Sequence, residues 1–135
     1  MTDPDRLAEA MMARRGAGPI PVMPYHRLMP RIDPAFLEAY EAWYNQLMIV
    51  QRPGGITPEE RELAIIAACA SARETMGVRL HARKARQMGV PASKIYEAAM
   101  LAGLVAGMPA MRDALAVVAE EVPAEALDDR SGHGA

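Results

Sequence analysis

Cysteine occurs once in these 135 residues, at Cys69, so no intramolecular disulfide and no two-cysteine redox pair can form, and a reducing compartment is the expected setting. Nor is there a cluster of basic residues: 15 Lys and Arg are scattered among 17 Asp and Glu, for a net charge of −2, which leaves nucleic acids and anionic membranes without an electrostatic footprint. Residues 1–9 carry Asp3, Asp5 and Glu9 and lack the apolar stretch of a secretory signal. The longest apolar run, 98–111, contains two glycines and Pro109 and falls short of the roughly 20 residues a bilayer span needs. A soluble, cytoplasmic protein is expected. No segment alternates apolar and polar residues as a half-buried strand does, so no glycine-rich phosphate loop follows a strand. No histidine or carboxylate pair recurs at ligand spacing around His81, so neither a metal nor another cofactor is expected.

What the chain has is apolar, helix-forming sequence. Half of it is hydrophobic (51%), enough for one core without staples. Three helix starts are written plainly: Asp33-Pro34, Thr57-Pro58 with Glu60 at capping-box spacing, and Pro91 after Gly89. Pro109 opens a last helix that Pro123 ends, and 91–107 reads as one helix, apolar on most faces, with Ala99, Gly103 and Gly107 at every fourth residue. Such a helix packs tightly inside the monomer or is covered by a second subunit. Residues 19–30 are proline-dense, which predicts an extended arm rather than a regular helix. The organisation is therefore all-α: an N-terminal helix and Pro-rich arm at 1–31, a helical domain at 32–122, and a flexible tail at 123–135 that holds His133. Eleven methionines either fill irregular gaps or line a pliable pocket.

Groups able to move protons at neutral pH sit inside expected core at one place, between Glu62 and His81. Glu62 shares a helical stripe with Ile66 and Cys69, where burial pushes a carboxyl up toward proton-transfer range. On an unbroken helix, Glu62 and His81 would lie about 28 Å apart, so a pair requires a chain reversal near 72–75. Nothing in Ser71-Ala72-Arg73-Glu74-Thr75 forces one, although Ser71 or Thr75 offers a new cap. Glu74 and His81 share a face, about 10 Å apart on a continuous helix, with Gly77 between them as a possible notch for a small ligand. Each group also has a structural reading: a satisfied core histidine, Glu62 paired with Arg61 or with a neighbouring helix, Glu74 paired with Arg73 or Arg79, and Cys69 as a small buried hydrophobe.

Across about 32–118, the Asp33-Pro34 helix, Thr57-Pro58-Glu59-Glu60-Arg61-Glu62-Leu63, His81-Ala82-Arg83-Lys84-Ala85, Gly89 and Gly107-Met108-Pro109-Ala110 stand in an order that resembles the carboxymuconolactone decarboxylase and alkylhydroperoxidase D superfamily. The resemblance implies an all-helical bundle assembled as trimers or hexamers, a site near the histidine and often near a subunit boundary, and a chain break between the glutamate and histidine helices. Peroxidase members carry a Cys-x-x-Cys pair where Glu74 and Gly77 stand here, so dithiol-dependent peroxide reduction is not expected. Lactone decarboxylases carry a carboxylate at the Gly77 position and a basic residue at the Glu74 position. The acid has thus moved by one turn and a positive charge is gone, so the same dianionic substrate is not expected.

The resemblance implies a cofactor-independent decarboxylase or isomerase acting on a small unsaturated carboxylate or lactone of the kind met in aromatic catabolism. His81 is the expected general acid and base, Glu62 its orienting partner, and Glu74 either holds a substrate hydroxyl or acts as a second acid and base. Gly77, Arg73, Arg79 and His26 are the expected substrate contacts. The rival reading is a non-catalytic helical oligomer serving as a binding or accessory protein, or a superfamily member without thiol peroxidase activity.

Overall fold

The computed structural model describes residues 3–14 and 24–129, which form helices and no strand. They belong to two compact units, Met1–Ile56 and Thr57–Ala135. The first holds α1 (Pro4–Arg14), α2 (Pro24–Ile32) and α3 (Pro34–Met48); the second holds α4 (Pro58–Ser71), α5 (Thr75–Gln87), α6 (Ala92–Met100), α7 (Ala102–Ala106), α8 (Met108–Glu121) and a 3-10 turn at Ala124–Leu127.

In the first unit α2 packs against both α1 and α3. Asp5 accepts ion pairs from Arg27 at 3.2 Å and Arg31 at 3.4 Å, fastening α1 to α2. Asp33 caps α3 by accepting from Ala35 N at 3.0 Å, and Pro34 occupies the first turn. The expected extended arm is corrected here: of residues 19–30, those from Pro24 onward are helical and Pro30 lies inside α2, while 19–23 fall outside the described residues. A proline costs the helix one hydrogen bond, but Pro30 and His26, four residues apart on one face, are both buried, and that burial offsets the loss. Five of the chain's six aromatic residues, Tyr25, Phe36, Tyr40, Trp43 and Tyr44, belong to this unit. Tyr40 packs near His26, Trp43 and Tyr44.

The second unit has a core of small and β-branched side chains, among them Ile66, Ala70, Val78, Ala82, Ile95, Ala99, Ala114 and Val118. With so many alanines, the helix backbones approach closely and the core is built from short contacts. Thr57 and Glu60 form the reciprocal capping box: Thr57 Oγ1 accepts from Glu60 N at 3.1 Å and the Glu60 carboxylate accepts from Thr57 N at 2.8 Å. At the other end of the α4–α5 pair, Gly89 takes φ +85°, with Gly89 N donating to Arg86 O and Val90 N to Ala85 O, both at 3.0 Å. That is a Schellman closure, followed by Pro91.

The single helix expected over 91–107 is two. The chain kinks at Leu101, where Leu104 N donates to Leu101 O at 3.1 Å in a tighter turn. The kink lays α7 against α8, and a side chain at Gly103 would press on Met111 Sδ at 3.1 Å. Tyr96 on α6 donates its hydroxyl to Val122 O at 2.5 Å, tying α6 to the end of α8. In the segment expected as a flexible tail, residues 124–127 form the 3-10 turn and Ala126 packs on the core. His133 lies outside the described residues.

Candidate acid and base site

The reversal between α4 and α5 makes the site. Helix α4 stops at Ser71, Arg73 adopts the left-handed conformation at φ +58°, and Glu74 N donates back to Cys69 O at 2.8 Å. A left-handed arginine costs roughly 1 kcal/mol. Two interactions hold it there: the Arg73 guanidinium pairs with Asp113 of α8, and the Glu74 carboxylate caps α5 by accepting from Gly77 N at 2.7 Å. The cap of the new helix is thus Glu74, not Ser71 or Thr75.

Folding α5 back onto α4 brings His81 to Glu62. His81 Nδ1 lies 2.6 Å from Glu62 Oε2, on two neighbouring helices. The Glu62 side chain is only 2% exposed and that of His81 19% exposed. Ile66 and Ala70, one and two turns beyond Glu62, are buried in the same stripe, so the carboxylate is surrounded by core. Lys84, one turn along α5 from His81, places Nζ 3.0 Å from Glu62 Oε1. Burial pushes the Glu62 carboxyl up, but the His81 hydrogen bond and charge together with the Lys84 ammonium outweigh it, and the group is held below its ordinary value. Glu62 is therefore the acceptor and His81 Nδ1 the donor. That assignment leaves Nε2 as the working nitrogen: a lone pair when the ring is neutral, an acid when it is protonated. Among the described residues Nε2 has no protein partner.

The other expected site residues lie elsewhere in the chemistry. Gly77 does not leave a notch. Its Cβ position is already occupied by the Glu74 carboxylate and by Cys69 Sγ at 2.6 Å, and the residue is buried. Glycine stands there because the cap and the thiol fill the space. Arg73 is held by Asp113; Arg79 is held by Glu120 and by Glu121 at 3.5 Å. His26, expected to reach the site from the arm, is 1% exposed inside the first unit, with its ring 4.0 Å from that of Tyr25. Burial, and then the Glu74 carboxylate, push the Cys69 thiol up, which opposes thiolate formation. Lys84 was missed as a site residue because it reads as an ordinary cation in the last turn of a helix; its spacing of three from His81 was the available signal.

Among the described residues no three His, Cys, Asp or Glu side chains gather as metal ligands. A cavity of about 690 Å³ opens at the far end of α5, lined by Arg86, Val90, Pro91, Lys94, Val122 and Leu127 among others. It includes neither His81 nor Glu62.

A helical unit that buries a glutamate against a histidine across a chain reversal belongs to the class of all-α proteins with an acid and base pair between packed helices. The chain is a member of the carboxymuconolactone decarboxylase family, whose model matches residues 34–120. No curated protein and no solved structure matches it.

Proposed function

We propose that the protein is a cytoplasmic, cofactor-independent lyase or isomerase acting on a small unsaturated carboxylate or lactone of aromatic catabolism, with His81 as its general acid and base. The observation that carries this reading is the 2.6 Å contact of His81 Nδ1 with a buried, ionised Glu62, which leaves Nε2 as the proton-transfer atom. In a decarboxylation, the bond from carbon to the carboxylate breaks and its electron pair passes into the conjugated carbonyl as an enolate. Protonated His81 then delivers its Nε2 proton to carbon and is recharged from solvent, while Glu62 stabilises the charged ring. In an isomerisation, neutral Nε2 first takes a proton from carbon and returns it at the conjugated position.

Arg73 and Arg79 are both engaged by acids, which favours a lactone or monocarboxylate over a dianion. Glu74 serves this scheme as the cap of α5. The test is incubation of the chain in heavy water with a panel of unsaturated lactones and carboxylates, following carbon dioxide release and deuterium at carbon. The product of decarboxylation should carry one deuterium from solvent, that of an isomerisation which returns the abstracted proton less than one, and His81→Ala should turn over about 10²-fold more slowly. Equal rates for the two chains would remove His81 from the mechanism.

The protein acts as a homo-oligomer, a trimer or hexamer, in this reading. Its support is the uncharged segment 100–108, where Leu104 is 87% and Val105 78% exposed, more apolar surface than a small monomer ordinarily shows.

A further inference from the structure

Glu62 has two carboxylate oxygens, and the fold commits them to two different side chains of α5: Oε2 to His81 and Oε1 to Lys84. We propose that Lys84 is a positioning residue of this site, balancing the charge of the buried Glu62 so that the His81 ring can stay neutral with its proton on Nδ1 and its lone pair on Nε2. This rests on His81 being the acid and base.

The charge of Glu62, buried from water, has to be balanced by its neighbours. With Lys84 present, the carboxylate, ammonium and neutral imidazole sum to zero, and protonating the ring raises the cluster to +1. Without the ammonium, the neutral ring leaves a lone buried anion, which a protein interior disfavours strongly. Protonating the ring would then restore neutrality, and Glu62 would hold His81 as a cation unable to accept a proton. Spacing makes the arrangement specific: residues three apart on a helix stand side by side, so His81 and Lys84 reach one carboxylate together. The Lys84 side chain is itself only 12% exposed.

Other charged groups nearby are already engaged. The cationic groups that face Glu62 are Lys84 and, once protonated, His81; Arg61 precedes it on α4. On the face of α5 toward α8, Arg79 and Arg83 are bound to Glu120 and Glu121, and Arg73 to Asp113. Glu74 is turned to Gly77 N and Cys69. Helix α7 has no titratable side chain, Lys94 and Glu97 of α6 are exposed, and Tyr96 is bound to Val122 O.

The experiment is a pH titration of the histidine ring nitrogens by NMR on the full ¹⁵N-labelled chain, with the His81 signals identified by their loss in His81→Gln. In the wild type the neutral ring should carry its proton on Nδ1. Lys84→Met should raise the ring's titration midpoint by about one pH unit, a tenfold gain in proton affinity, and Lys84→Arg should restore it. In a Glu62→Gln background the Lys84→Met shift should vanish. A folded Lys84→Met chain that titrates with the wild type overturns the proposal. So does a wild-type neutral ring protonated on Nε2, a result that stands even where Lys84→Met does not fold. The titration requires no substrate, so a shift found without turnover on any lactone or carboxylate defeats the proposed reaction and leaves Lys84 in its role.

Discussion

At the scale of single residues, the space above Gly77 decides more than its freedom of backbone. Any β-carbon there meets Cys69 Sγ and the Glu74 carboxylate, so Gly77→Ala should lower stability by about 1–3 kcal/mol, as overpacking does, although alanine is the better helix former. Thermal unfolding measures this, and adding Cys69→Ala should recover part of the loss; an unchanged melting temperature in Gly77→Ala would show that the cap moves aside at no cost. The Cys69 thiol, pushed up by burial and by Glu74, should be alkylated slowly at neutral pH and faster as pH rises. Dithiol-dependent peroxide consumption should be absent, and consumption that persists in Cys69→Ser would contradict the assignment. Glu62 and His81 were legible as candidates because a carboxylate and an imidazole in apolar helical sequence demand an explanation. Their pairing was legible only through the family resemblance, because locally it depends on Arg73 entering a left-handed conformation that no residue type near it announces.

Between elements, starts were easier to read than stops. Proline in the first turn and side-chain caps are local signals, and Asp33 and Thr57 act where the sequence places them; among the stops, Gly89 is as plain. The kink at Leu101 has no proline to announce it, and the helix beyond it packs on α8. Helix α2 was misread because its prolines argue locally against a helix, while the burial of His26 and Pro30 argues for one only after the chain has folded. Gly89 sits at φ +85°, so Gly89→Ala should destabilise the chain by roughly 1 kcal/mol, read as a lower urea midpoint with unchanged slope. Helices α5 and α8 are clamped by Glu121, which receives Arg83 Nε and Nη2, both at 2.9 Å. The Arg83 hydrogen bond holds this carboxyl below its ordinary value.

For the whole molecule, the depressed carboxyls of Glu62 and Glu121 set an acid limit. Each has a folded value below the ordinary 4.5, so its contribution is complete above that pH and is lost as pH falls through the folded value. Urea midpoints should drop as pH falls below 4.5, and Glu121→Gln should lower the neutral midpoint while shallowing the acid slope. A midpoint that rises as pH falls below 4.5 would contradict both assignments. Light scattering at micromolar concentration should give a multiple of the 14.6 kDa chain mass, and Leu104→Glu should reduce it; a single-chain mass for the wild type ends the oligomer proposal. The uneven placement of aromatic rings carries a spectroscopic consequence. Trp43 is the sole tryptophan and lies in the first unit, whereas Tyr96 is the second unit's only ring chromophore apart from its histidines. Fluorescence excited at the red edge, where tyrosine is silent, therefore comes from Trp43 in Met1–Ile56. The unit that carries Glu62, His81 and Lys84 has its own reporter in Tyr96, whose phenol is pushed up by burial first and returns toward ordinary ionisation when its bond to Val122 breaks.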